Sequence, residues 1–75
     1  MKVLIKGLTR QREEVEILAD YRDIKRIETF KDITSIYVSK IDNRKKHYII
    51  IMEDRAETER VINQVIYIQN KLKGG

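Results

Sequence analysis

Hydrophobic and polar positions divide the chain into short alternating runs followed by one long helical stretch. Residues 2–8 (Lys-Val-Leu-Ile-Lys-Gly-Leu) are short and apolar and read as a strand, and the polar residues 9–13 mark a turn or a helix start. After them, Val15, Ile17, Ala19 and Tyr21 alternate with Glu14, Glu16, Leu18 and Asp20, close to a period of two. Arg12 to Ala19 are mostly good helix formers. At 100° per residue, however, the apolar positions scatter over more than half the circumference, so the balance falls on strand. Ile24, Ile27 and Phe30 fit either a helical turn or a further strand.

From residue 33 the pattern sharpens. Residues 33–41 and 47–53 predict two strands joined by the turn Asp42-Asn43-Arg44-Lys45-Lys46, a hairpin. A helix is predicted from about residue 55 to 72. Asp54 and Glu57 form a variant capping box at its start, and Lys71, Lys73 and Gly74 close its end. Val61, Ile62, Val65, Ile66, Ile68 and Leu72 form one wide apolar face, with Asn63, Tyr67 and Asn70 roughly opposite.

The fold class that follows is α+β: an antiparallel sheet of four or five strands packed by a long C-terminal helix, as a single domain over residues 1–75. Ile49 to Met52 and Val3 to Ile5 are apolar on both faces, so both sides of the sheet require cover. Residues 10–22 as a helix, or a partner subunit, are the two candidates for the second coat. With 75 residues a chain buries only about 60% of its unfolded surface, and a homodimer is the expected remedy.

Composition narrows the chemistry. There is no Cys and only one His, so disulfides and the usual zinc sites are excluded. His47 begins a strand and has no nucleophile nearby in sequence, and Gly7, Gly74 and Gly75 make no phosphate loop. An enzyme is not expected, nor is any cofactor. No apolar run spans a membrane and no signal peptide is evident, so a cytoplasmic protein is expected.

The net charge of +4 is concentrated in one place. Lys40, Arg44, Lys45 and Lys46, with Asp42 the one acid among them, make the hairpin turn basic, and Tyr37 and Tyr48 flank it. Bases that neutralise phosphates beside aromatics that stack are what a nucleic-acid reader needs. The same lysines also serve to keep a sheet soluble. Arg10, Arg12, Arg22, Lys25 and Arg26 extend the basic patch, diluted by Glu13, Glu14, Asp20 and Asp23. The apolar stripe of the helix is the second candidate, with Ile62, Ile66 and Tyr67 as a partner or dimer contact.

Two resemblances add to this. Met1 to Thr9, with its Met start, Lys6 and Leu-Thr turn, resembles the first strand of ubiquitin, and Leu72-Lys73-Gly74-Gly75 resembles that family's conjugation terminus. Together they cover about a fifth of the chain, and they imply a modifier acting through Gly75. Here, however, the diglycine follows a helix rather than a strand. The alternative order strand–helix–strand–strand–helix is similar to ACT-type regulatory domains, which bind amino acids at dimer interfaces, although Leu8 to Gln11 lacks their Pro-Gly.

The expected function is therefore a small non-enzymatic, homo-oligomeric protein-interaction or regulatory module. Nucleic-acid binding through the basic turn is the alternative, and a ubiquitin-like modifier is a further one. The expected partner is a second copy, with another protein or a nucleic acid next and no membrane.

Overall fold

The computed structural model describes residues 1–39 and 48–74. Five strands and one helix follow in order: β1 (Lys2–Leu8), β2 (Glu14–Asp20), a 3-10 turn at Tyr21–Asp23, β3 (Ile24–Phe30), β4 (Ile33–Val38), β5 (Tyr48–Met52) and α1 (Arg55–Lys73). The strands form one sheet in the order β2-β1-β5-β4-β3, antiparallel at every contact. The expected α+β architecture is present. Period-two alternation prevails over helix propensity at residues 14–20, so a helix there does not supply the second coat, and the ACT-like element order is absent.

The sheet cannot be flat. β2 and β3 occupy opposite edges, yet only Tyr21–Asp23 separate them in the chain. Four strand spacings amount to about 19 Å, whereas the four Cα–Cα steps from Asp20 to Ile24 reach at most about 14 Å. The two strands also run in the same direction. The sheet must therefore curl until its edges approach, with the 3-10 turn as the corner. Asp20 caps that turn by accepting from the Arg22 amide at 3.0 Å, and this bond holds its carboxyl below the usual range.

Curling gives the strands an inside. Val3, Ile5 and Ala19 from β1 and β2, Ile36 and Val38 from β4, and Ile50 and Met52 from β5 point into it. Val15, Ile17, Tyr21, Ile24 and Ile27 pack around them half-buried. The one buried polar residue among the described positions, Thr34, shares a hydroxyl hydrogen bond of 3.1 Å with Thr29 across the β3–β4 pair. On the outside of β1 and β2 the rungs read Lys2–Asp20, Leu4–Leu18, Lys6–Glu16 and Leu8–Glu14. Charged pairs thus flank the apolar one.

β1 meets β5 at a single rung, Leu8 opposite Ile51. The strands pass closely there. A Cβ on Gly7 would lie 2.7 Å from both Ile50 Cγ2 and the Ile51 carbonyl. Elsewhere no strand among the described residues pairs with this edge of β1, and the helix supplies the partner. Arg60 donates to the Leu4 carbonyl at 2.6 Å and Gln64 to the Lys2 carbonyl at 3.4 Å, while Val61, Val65 and Ile68 (i, i+4, i+7) close the core.

Asp54 caps the helix by accepting from the Glu57 amide at 3.1 Å. Glu57 does not return the bond to complete the expected capping box. Its carboxylate takes the Arg60 guanidinium at 2.8 and 3.0 Å, which aims Arg60 at β1 and holds the Glu57 carboxyl below its ordinary value.

Two predictions follow from this packing. Gly7→Ala should destabilise the protein by about 1–3 kcal/mol, read as a lower urea midpoint at unchanged slope. Because the Glu57 carboxyl is held below its ordinary 4.5 in the folded protein, its contribution is complete above that pH and is lost as pH falls through the lowered value. Glu57→Gln should therefore flatten the acid limb of the stability curve, followed by circular dichroism.

Candidate nucleic-acid interface

Beyond the Leu8–Ile51 rung, β1 leaves β5 and turns over its start. The turn is built to hold a shape. Thr9 accepts from the Arg12 amide at 3.0 Å and donates its own amide to the Glu13 carbonyl at 2.9 Å. The Thr9 hydroxyl accepts from the Glu13 amide at 3.2 Å. Arg12 takes a left-handed φ of 68°, and its guanidinium binds Glu53 at 2.9 Å, which ties the turn to the end of β5.

Between this turn and the β4–β5 pair lies a groove of about 630 Å³. Its floor and walls are Val15, Ile17, Ile49 and Ile50, with Tyr37 and Tyr48 from adjacent strands and Thr9, Arg10 and Gln11 at the rim. Tyr37 is held in place: the Arg26 guanidinium lies 4.3 Å from its ring centroid, and its hydroxyl donates to Glu28 at 3.4 Å. Arg26 is itself paired with Glu28 at 2.8 Å.

A second groove of about 570 Å³ lies where Lys6, Gly7 and Leu8 meet Ile51 and the helix start. Val15 lines both grooves. Glu14, Glu16, Glu53, Asp54 and Glu57 make this one acidic. No three His, Cys, Asp or Glu side chains among the described residues are placed to hold a metal ion. The two grooves have opposite electrostatic character, and a polyanion is repelled from the acidic one.

The residues singled out from sequence fare differently. Lys40, Arg44, Lys45 and Lys46 lie outside the described residues, as does His47. Tyr37 and Tyr48 both line the groove, on successive rungs of the β4–β5 pair: Tyr37 is opposite Ile49, and Tyr48 is opposite buried Val38. Of the bases expected to extend the patch, Arg10 lines the groove. Arg12, Arg22 and Arg26 are each engaged by a carboxylate, Glu53, Asp20 and Glu28 respectively, and Lys25 reaches the Arg22 carbonyl at 3.5 Å.

The helix stripe is narrower than expected. Ile62 is half-buried, Ile66 is 47% exposed and Leu72 is 61% exposed, so only the strip through Val61, Val65 and Ile68 faces the core. Tyr67 is 62% exposed, with Lys71 Nζ 5.8 Å from its ring centroid. At about 100° per residue, Tyr67 projects from the opposite flank to Ile62 and Ile66, so the three do not make one contact surface.

Sequence reading missed Arg60, whose tie to Leu4 spans most of the chain, and the walls Val15, Ile17 and Ile49. Their only signal is apolar alternation, which carries no information about the strand they face. Phe30, grouped with the apolar positions, is 76% exposed at the end of β3.

No protein-family model, curated protein or solved structure matches this chain. No helix among the described residues is long and apolar enough to cross a membrane.

The division of the helix stripe is open to measurement. Ile68→Ala should cost about 2–5 kcal/mol and Ile66→Ala no more than about 0.5 kcal/mol, both from urea unfolding.

Proposed function

We propose that the protein is a non-enzymatic binding module and that its tyrosine-lined groove takes single-stranded nucleic acid. The observation that carries this reading is that Tyr37, Tyr48 and Arg10 all line one groove. Tyr48 directly follows, in the chain, the segment bearing Lys40, Arg44, Lys45 and Lys46. Bases stack on aromatic rings whatever their identity, and nearby cations release counterions from the phosphates. The opposing acidic groove disfavours a backbone tracking the other way. A cytoplasmic location belongs to the same proposal.

A second reading is a homo-oligomeric or regulatory protein-interaction module. It is favoured by the exposure of Phe30 (76%) at the end of β3, an edge strand with one strand neighbour among the described residues. The modifier reading has less support. Gly74 serves as the helix cap, its amide on the Asn70 carbonyl at 2.8 Å, and Gly75 lies outside the described residues.

Fluorescence anisotropy with labelled oligonucleotides at about 50 and 200 mM salt tests the first reading. Binding should favour single strands and fall steeply with salt. Tyr37→Ala and Tyr48→Ala should each weaken it by about 1–3 kcal/mol, while Tyr37→Phe keeps the ring and most of the affinity. Arg44, Lys45 and Lys46 changed together to Ala should lower the salt slope. No binding at either salt defeats the proposal.

A further inference from the structure

The two edge strands of the sheet differ in what a second copy of the chain would meet. Among the described residues, β2 and β3 each have one strand neighbour, β1 and β4 respectively, and each has its other backbone edge unpaired by a strand. An isologous antiparallel pair sets residue i opposite residue j and j opposite i about a twofold axis. Centred on Ile17 of β2, that operation sets Glu14 against Asp20 at both ends and Glu16 against Leu18. Like charges face each other, and β2 is protected against itself.

Centred on Ile27 of β3, the same operation gives the reverse. Ile27 faces Ile27, Arg26 faces Glu28, and Glu28 faces Arg26. Arg26 and Glu28 already form a 2.8 Å pair on one face of the strand, steadied by Tyr37. Two copies would close a ring of four alternating charges. β3 is also the most exposed strand in the sheet, and Phe30 at its end (76% exposed) would come opposite the start of the partner strand. The β3–β4 register shifts between Arg26 and Ile24 and resumes at Ile24 opposite Val38.

We infer that β3 is a self-association edge, pairing with β3 of a second copy about Ile27 through two Arg26–Glu28 contacts. This rests on the second reading above and supplies its surface. The paired segment is short and falls below the ~1,200 Å² of stable complexes. Association is therefore weak and reversible, and it falls with salt.

Sedimentation velocity over a range of concentrations tests it. The wild-type protein should pass from monomer to dimer. Arg26→Glu and Glu28→Arg, each creating like-charge contacts, should weaken the dimer at least about tenfold. The double variant R26E/E28R restores complementarity and should recover it. Hydrogen exchange on the unmodified protein provides a readout free of folding artefacts: β3 amides should gain protection with concentration, and β2 amides should not. A wild-type protein that stays monomeric overturns both the inference and the homo-oligomer reading. A dimer indifferent to both single reversals, or one that protects β2 instead, overturns the β3 edge alone and leaves self-association standing on another surface.

Discussion

The close passage of β1 over β5 at Gly7 is the constraint on which the rest of the structure depends. Among the described residues, β1 is the strand that joins the β2 edge to the β3–β4–β5 half of the sheet, and it does so through a single rung, Leu8 opposite Ile51. A side chain at residue 7 would push the two strands apart, because the atoms in its way are the Ile51 backbone carbonyl and the Ile50 side chain. With the strands in contact, the sheet curls, its inner face becomes a core, and the 3-10 turn spans the remaining gap between its edges.

A seam one rung wide leaves much of the β1 edge without a strand, and α1 takes over that edge. Glu57 positions Arg60, and Arg60 and Gln64 meet the Leu4 and Lys2 carbonyls, while Val61, Val65 and Ile68 fill the opening above the core. The helix therefore acts as lid and as surrogate strand. The same divergence of β1 from β5 opens the tyrosine-lined groove on one side of the rung and the acidic groove at the helix start. Both candidate surfaces are consequences of how the seam is built rather than separate additions to the fold.

Much of the architecture was legible in the chain. Short apolar, β-branched runs placed β1, β4 and β5, alternation tipped residues 14–20 to β2, and Asp54 with Lys71, Lys73 and Gly74 placed the helix ends. Where helix propensity and period-two alternation competed, at residues 14–20, alternation prevailed because Val15, Ile17 and Ala19 all reach the same core. The candidate site was legible only in its parts. Tyr37, Tyr48 and Arg10 were visible as residue types, but Arg12, Arg22 and Arg26 looked equally available until their carboxylate partners appeared. The helix stripe was overestimated for a related reason: Ile66 is apolar at a suitable spacing, but it sits on the flank turned away from the core.

The sequence by itself determined that β1, β4 and β5 extend, that the last segment coils and where the basic charge is concentrated, because these follow from local patterning and residue chemistry, whereas residues 24–30 fitted either a helical turn or a strand. Tertiary structure decided strand order, the curl of the sheet, the two grooves and the engagement of Arg60 with Leu4. Each of those depends on residues far apart in the chain meeting in space. Gly7 marks the boundary between the two: its lack of a side chain is plain in the sequence, and the strand it must let pass is set by the fold alone.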